Sequence, residues 1–176
     1  MLVFMEDLLD LAKIGHDDRP LHPVNTTALI ADVITDLNSE LISQQGRIVI
    51  EDVPDVYLPE TVVSQLFSNL LTNAIRYSLP EGKQVEVGGF SRGSLVRFYV
   101  RDHGPGIAEE EQRQVFEVFF RGELAKKRTG TGIGLATVQK IARHYGGRAW
   151  VTTTEGGGAT LWVEVVNLPQ VNDSSL

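Results

Sequence analysis

The sequence predicts an α+β fold in which a layer of helices covers one sheet. Segments with helical periodicity alternate with runs in which apolar and polar residues alternate, and short turns containing glycine join two pairs of those runs. Antiparallel pairs interleaved with amphipathic helices favour a layered arrangement. A length of 176 residues with 42% hydrophobic content suits one packed domain with a short appendage.

The first segment, residues 1–15, is interpreted as the end of a helix that begins upstream. Its apolar residues recur at helical spacing until Gly15. Residues 16–24 contain two prolines and predict a linker, which leads to an N-cap at Asn25 or Thr26. From there a second helix is expected to run to about residue 45, followed by a strand over residues 47–53.

The rest of the chain predicts two helices and two hairpins. Pro59 is expected to be the first residue of a third helix that runs to about Tyr77. The strands QVEVGGF and SLVRFYVRD form the first hairpin, around SRG. A helix from about Ile133 to Tyr145 is followed by a hairpin of RAWVTTT and ATLWVEVV. Residues 169–176 predict a disordered tail.

Composition excludes several classes of function. The net charge of −7 opposes binding to phosphate backbones, so no nucleic-acid partner is expected. The chain has no cysteine, which excludes disulfides and thiolate metal ligands. No stretch approaches the length of a membrane span, and the opening MLVFMEDLL is too acidic and too short for a signal peptide. We expect the chain as given to be soluble.

The helix over residues 59–77 has a polar stripe apart from its apolar one. Gln65, Asn69, Asn73 and Arg76 follow at spacings of four, four and three and therefore project from one side. Amide oxygens can coordinate a hard cation such as Mg²⁺, and a guanidinium can complement phosphate. The alternative is a solvated face with chance asparagines, although asparagine is a mediocre helix former.

Asp102 stands at the end of an apolar strand, directly before HGPGI. The glycines allow the backbone to approach a flat ligand closely, beside a carboxylate that can accept a hydrogen bond from an exocyclic amine. The alternative is an ordinary turn, because Asp, Gly and Pro are all turn residues.

Three glycines, at 130, 132 and 134, surround the start of the helix that begins near Ile133. Backbone N–H groups there, together with the positive helix end, would bind an anion. The segment lacks the lysine-serine pair of a P-loop, and the polar approach ELAKKRT argues against a dinucleotide-binding turn. A glycine-rich hinge without a ligand is the alternative.

The order of these segments is more specific than any one of them. NLLTNAIRYS, DHGPGI, VFEVFFR, GTGIGLA and GGGATLWVEVV resemble the N, G1, F, G2 and last-strand boxes of the ATP-binding catalytic domain of sensor histidine kinases, in the superfamily of the gyrase, Hsp90 and MutL ATPases. LLDLAKIG and GTGIGLATVQKIARHYGGRAWV are similar to kinases attached to phytochrome-type sensors. The resemblance predicts a catalytic domain over residues 25–168.

The resemblance implies a two-layer α/β sandwich, with a mixed and mostly antiparallel sheet covered by three main helices (the Bergerat-type ATP-binding fold). Its cofactors would be ATP and Mg²⁺. Asn73 would be the principal magnesium ligand with Asn69 as a second contributor, and Asn73 and Arg76 would be the catalytic residues. Arg76 would contact phosphate, Tyr77 would form part of the adenine wall, and Asp102 would accept a hydrogen bond from the adenine amino group.

Further binding positions follow from the same boxes. Gly104, Gly106 and Ile107 would shape the adenine pocket, and Thr160 would lie near the base. The F box would supply Phe116, Phe119 and Arg121, and would lead into a mobile lid, RGELAKKRTGT. The phosphate-binding segment would comprise Gly130, Thr131, Gly132, Ile133, Gly134 and Leu135.

Asn69 bears on the reaction. Hydrolytic members of the superfamily carry a glutamate at this position to activate water, whereas an amide has no basic oxygen of that strength. The resemblance therefore implies transfer of the γ-phosphoryl group to a histidine on a dimerisation hairpin, and from there to an aspartate of a response regulator receiver domain. A nucleotide-binding signalling module without turnover and a serine kinase of the anti-sigma-factor type remain open.

HDDRPL, which starts at His16, imitates the phosphoacceptor box H-E-x-R-T-P-L with one residue missing. Pro20 and Pro23 disfavour continuing a helix there, and no helical hairpin fits before Asn73. Residues 1–15 would then be the end of the second helix of the dimerisation hairpin, and we expect the true acceptor upstream of Met1. The full-length protein is expected to be a homodimer through the hairpin, which leaves a monomer open for this chain. We expect a cytoplasmic location whether or not the parent protein is anchored in a membrane.

Overall fold

In the computed structural model, a layer of helices covers one face of a five-stranded sheet, and a second sheet has two strands. The structure describes residues 21–77, 84–122 and 130–168, together with Met5, Leu9 and Ala12. Those three residues are helical and exposed. Four predicted features lie wholly or partly outside the described residues: the rest of the first helix, most of the linker with His16, residues 123–129 of the lid, and the tail.

Seven strands and four helices are described. The strands are β1 (Pro23–Val24), β2 (Arg47–Ile50), β3 (Val56–Tyr57), β4 (Gln84–Arg92), β5 (Leu95–Asp102), β6 (Arg148–Thr153) and β7 (Ala159–Val166). The helices are α1 (Thr26–Asp36), α2 (Asn38–Ser43), α3 (Glu60–Tyr77) and α4 (Gly134–His144). None of these helices is both long enough and apolar enough to cross a membrane.

The five-stranded sheet has the order β2-β4-β5-β7-β6. Only the β2–β4 pair is parallel among its described pairs, and the other three are antiparallel. The predicted mixed, mostly antiparallel sheet and its two hairpins are thereby confirmed. Because side chains alternate along a strand, Val96, Phe98 and Val100 of β5 are buried while the intervening residues are half-exposed.

Helix α3 forms the centre of the helical layer. Its apolar stripe is buried, as its spacing predicts, and the helix packs between α1 and α4 and against β5. The rings of Phe67 and Phe98 meet edge to face, with 5.3 Å between their centroids. This packing fixes α3 with its polar stripe at the side of the sheet where β5 ends.

Several boundaries differ from the prediction. The expected single helix to residue 45 is two helices that meet at Leu37, whose N–H donates to the Val33 carbonyl oxygen. Helix α3 begins at Glu60, and the carbonyl of Pro59 accepts its first hydrogen bond from Val63 N at 3.1 Å.

The predicted N-cap is confirmed, because Asn25 Oδ1 accepts a hydrogen bond from Ala28 N at 3.0 Å.

The two-stranded sheet was not predicted. Pro23 and Val24, assigned to the linker, pair antiparallel with Val56 and Tyr57. Asn167, just after β7, joins this sheet to the domain: its Oδ1 accepts a hydrogen bond from Tyr57 N at 2.8 Å. Two-residue strands are too short to show a periodicity, so the pattern of the sequence does not reveal them.

Candidate functional site

One cavity of about 630 Å³ lies where α3, the end of β5 and the start of α4 meet. Asn73, Asp102 and Gly132, which come from the three segments that the sequence singles out, all line it. The volume is that of a site for a small molecule. The three segments that the sequence singles out therefore share one pocket.

The α3 wall carries the predicted polar stripe. Asn69, Asn73, Arg76 and Tyr77 line the cavity, whereas Gln65, one turn earlier, does not. Two further residues of the same wall, Ser68 and Thr72, were not predicted. Their i, i+4 spacing beside the asparagines is a signal that could have found them.

Asp102 is buried, with 4% of its surface exposed, and two backbone groups orient it. Its Oδ1 accepts hydrogen bonds from Gly104 N at 3.0 Å and from Ala159 N at 3.2 Å. Ile107 and Leu161 supply apolar surface in the same cavity. A fixed carboxylate beside apolar walls can bind the amino group of a flat heterocycle.

Thr160, which the resemblance places near the base, is not part of the cavity lining. Residues of a strand alternate between faces, and its neighbours Ala159 and Leu161 are the ones that line the cavity. The Thr160 hydroxyl lies 3.0 Å from that of Thr154, and both side chains are buried. Thr160 therefore packs behind the β7 wall.

Four other predicted residues also lie outside the lining. Phe116 is buried in the hydrophobic core, and Gly104 acts through its N–H group on Asp102. Ile133 is buried at the N-cap of α4, where its carbonyl accepts a hydrogen bond from Thr137 N at 2.9 Å. Phe119 is 53% exposed, whereas its neighbour Phe120, which was not predicted, lines the cavity.

The remaining predicted residues line the cavity. They are Gly106, Ile107, Arg121, Gly130, Thr131, Gly132, Gly134 and Leu135. The residues of the lining that the sequence did not indicate are Ser68, Thr72, Pro105, Glu111, Val115, Phe120, Gly122, Ala159 and Leu161.

The start of α4 meets the polar wall of α3. A β-carbon at Gly134, the first residue of α4, would lie 3.1 Å from Asn69 Oδ1. Gly132 has a φ of +73°, which favours glycine, and its carbonyl accepts a hydrogen bond from Phe119 N at 3.0 Å. The N–H groups and the positive end of α4 therefore open beside the two asparagines, where an anion and a cation would be neighbours.

The donors on this wall suit a magnesium ion that is shared with phosphate. The candidate ligands Asn69 and Asn73 offer neutral amide oxygens, and Mg²⁺ usually completes its octahedron with water and substrate phosphates. In the described part of the chain, no group of three or more His, Asp or Glu side chains could hold a metal. Arg76 and Arg121 add positive charge to the same cavity.

Comparisons with known proteins agree with this geometry. A family model described as "Histidine kinase-, DNA gyrase B-, and HSP90-like ATPase" matches residues 59–170. Cyanobacterial phytochrome B from a Nostoc species is 31% identical over 90% of this chain, and sensor protein kinase PmrB from Pseudomonas aeruginosa is 33% identical over 90%. The chain spans only 22% and 34% of the lengths of these relatives.

Solved structures show the same fold. Full-length ShkA in complex with AMPPNP is 26% identical, with a TM-score of 0.79 over 96% of this chain and 36% of that one. The catalytic domain of histidine kinase ThkA is 25% identical, with a TM-score of 0.72 over 86% of this chain and all of that one.

Proposed function

The chain belongs to the histidine kinase-, DNA gyrase B- and HSP90-like ATPase family, as an ATP-binding catalytic domain of the histidine kinase type, and on this premise we propose how its residues act. The cavity binds Mg-ATP and presents the γ-phosphoryl group to a histidine on a dimerisation hairpin. The observation that carries the proposal is the position of Asn73, Asp102 and Gly132 around one cavity.

Each wall takes one part of the nucleotide. Asp102 accepts a hydrogen bond from the adenine amino group, since its carboxylate is already oriented by two backbone N–H groups. The glycines before α4, together with Arg76, hold the phosphates. Asn73, with Asn69 beside it, holds the magnesium ion, which when bound would neutralise charge on the phosphates.

Asn69 favours phosphoryl transfer over hydrolysis. Phosphoryl transfer depends on positioning and on charge stabilisation, which amides, arginine and backbone N–H groups provide. An amide has no basic oxygen to activate water, so Asn69 does not direct the phosphoryl group to solvent. The group is thereby kept for a side-chain acceptor.

The experiment supplies the acceptor separately. The chain is mixed with γ-labelled ATP, Mg²⁺ and a dimerisation hairpin that contains its acceptor histidine. We expect label on the hairpin that is lost in acid, and no label with the chain variant Asn73→Ala or with a hairpin whose histidine is replaced. An acid-stable label would indicate a serine kinase, and tight ATP binding without any label would indicate a module without turnover.

The product defines the downstream partner. A phosphohistidine passes its phosphoryl group to an aspartate of a response regulator receiver domain. We expect such a domain, added after the labelling reaction, to remove the label from the hairpin.

A further inference from the structure

His103 follows Asp102 directly and is hydrogen-bonded to Glu86 of β4, and the roles assigned above use neither His103 nor Glu86. His103 Nε2 lies 2.9 Å from Oε2 and 3.1 Å from Oε1 of Glu86. Because a carboxylate only accepts hydrogen bonds, this nitrogen carries the proton and donates. The contact therefore ties the first residue after β5 to the neighbouring strand.

Glu86 is itself held in place. Only 8% of its surface is exposed, and Gln84 Nε2 donates to its Oε1 at 2.6 Å. Gln84 pairs with Arg47 in the β2–β4 register, and Arg47 Nε donates to Gln84 Oε1 at 2.8 Å. Since a buried carboxylate needs hydrogen-bond donors around it, Glu86 keeps its orientation and offers His103 a fixed partner.

His103 is also the middle residue of the turn that orients Asp102. The hydrogen bond from Gly104 N to Asp102 Oδ1 closes an Asx turn around His103. Glu86 stands opposite Arg101 in the β4–β5 register and so lies on the outer face of the sheet, whereas Asp102 lines the cavity. The side chain of His103 is thus bonded on one face, while its backbone shapes a carboxylate site on the other.

The turn between β6 and β7 packs against the same backbone. A β-carbon at Gly158 would clash with the Asp102 carbonyl oxygen and would lie 2.8 Å from the His103 Cα. The next residue, Ala159, donates its N–H group to Asp102 Oδ1 at 3.2 Å. The direction of the carboxylate therefore depends on the two hydrogen bonds of its own oxygen and on the position of residue 103, which Glu86 restrains.

We propose that His103 is a positioning residue: through its bond to Glu86 it keeps the Asp102 carboxylate directed at the adenine amino group, and so contributes to the selection of adenine. The inference rests on the proposed function, because it needs ATP with its base at Asp102. His103 does not line the cavity, so its effect on the base passes through Asp102.

Calorimetric titration with ATP and with purine riboside triphosphate, which is ATP without its amino group, tests the proposal in the presence of Mg²⁺. We expect the unaltered chain to bind ATP about tenfold more tightly than the analogue, since a hydrogen bond to a charged group is lost. In His103→Ala this ratio should fall by about threefold or more, through weaker binding of ATP and with the affinity for the analogue unchanged. His103→Gln keeps an N–H group for Glu86 and should keep most of the ratio.

Glu86→Ala removes the contact from its other side and should lower the ratio by the same factor. The double variant should show no further fall, because the effects of two residues in one contact are not additive. Glu86→Ala also carries the test if His103→Ala does not fold. His22→Ala is the matched control, since His22 is exposed and does not line the cavity, and it should leave the ratio unchanged.

Two results in the variants would overturn the proposal while the proposed function stands. One is a His103→Ala variant that keeps the full ratio, and the other is a variant that binds both nucleotides more weakly by the same factor, which would indicate a role in stability alone. An unaltered chain that binds no ATP, or that binds it no more tightly than the analogue, overturns the proposed function itself.

Discussion

Asn73 carries the most specific residue-scale prediction. Its amide lines the cavity one helical turn from Asn69 and is the assigned magnesium ligand. Asn73→Ala should lower the affinity for ATP in the presence of Mg²⁺ by about 10- to 100-fold, because a polar partner of the bound ion is removed. Titration calorimetry with and without Mg²⁺ measures the effect.

Asn38→Ala is the control for this variant, since Asn38 is exposed at the start of α2 and far from the lining in sequence. It should bind Mg-ATP like the unaltered chain. An Asn73→Ala variant with undiminished affinity would remove the metal-binding role of that residue.

Thr160 is expected to act on stability rather than on binding. Its hydroxyl pairs with that of buried Thr154, so the equal-sized Thr160→Val leaves a buried hydroxyl without its partner. The free energy of unfolding should fall by about 1–3 kcal/mol, measured by urea denaturation. ATP affinity should be unchanged. Thr160→Ser keeps the hydroxyl as the control, and a large loss of ATP affinity in Thr160→Val with unchanged stability would return Thr160 to the site.

Residues with a periodic signal were the predictable ones. Asn69, Asn73 and Arg76 follow the helical period, so spacing puts them on one face of α3, and Asp102 is the last residue of a strand. The resemblance then assigned these residues to one nucleotide, and all four line the cavity. Glu111 lies in a turn and Gly122 in an irregular segment, where no period links a residue to a face. Thr160 was assigned from the resemblance, whereas its neighbour Ala159 lines the cavity, because adjacent residues of a strand face opposite sides.

Tyr99 connects neighbouring elements on the outer face of the sheet. Its ring lies across Gly88 of β4, its hydroxyl is hydrogen-bonded to Glu51, and the Arg101 guanidinium lies 4.9 Å from its centroid. Burial, the hydrogen bond to Glu51 and the charge of Glu51 raise the pKa of Tyr99 from 10.0 to about 12, against the opposing effect of Arg101.

This pKa predicts a loss of stability in alkali. Below pH 10 both states hold the proton; between about pH 10 and 12 the unfolded chain releases it while the folded state keeps it, so the free energy of unfolding falls as pH rises. Tyr99→Phe should make the fall of melting temperature across that window smaller, with Tyr57→Phe as the control. The same decline in both variants would contradict the assignment.

The small β1–β3 sheet depends on Asn167. Its Oδ1 accepts from Tyr57 N at 2.8 Å and its Nδ2 donates to the Asp55 carbonyl at 3.3 Å. Asn167→Ala should lower the free energy of unfolding by about 1–3 kcal/mol, because the N–H group of Tyr57 loses its partner. Urea denaturation measures the loss, and unchanged stability would show that the contact is not needed.

Asn167→Asp separates the two hydrogen bonds, since it keeps an acceptor for Tyr57 and loses the donor to Asp55. We expect a smaller loss than in Asn167→Ala. Asn167 does not line the cavity, so both variants should bind ATP with the affinity of the unaltered chain.

Strands of four residues or more and the long helices were predictable, whereas the two-residue strands were not. The stripe of α3 and the alternation of β5 each repeat several times, so chance cannot imitate them easily. The strands β1 and β3 have two residues each, and the break between α1 and α2 at Leu37 interrupts a continuous apolar period. Tertiary contacts determine these features, and the spacing of apolar residues in the sequence does not predict them.

For the whole molecule, the fold brings three distant segments to one place. Helix α3 and the start of α4 pack together above the sheet, and β5 ends beside them, so side chains and backbone from the segments 69–77, 102–107 and 130–135 line one cavity. The order of the segments and their resemblance to a known family predicted this meeting. The orientation of each wall, which decides that Ala159 faces in and Phe119 faces out, depends on packing that only the structure shows.

A crystal structure of the chain with Mg²⁺ and AMPPNP tests the central claim most directly. We expect one nucleotide, with its adenine amino group hydrogen-bonded to Asp102, its phosphates at the glycines before α4, and Mg²⁺ bound to the Asn73 amide oxygen. A nucleotide that lies elsewhere, or one that cannot reach Asp102, Asn73 and Gly132 together, would contradict the account.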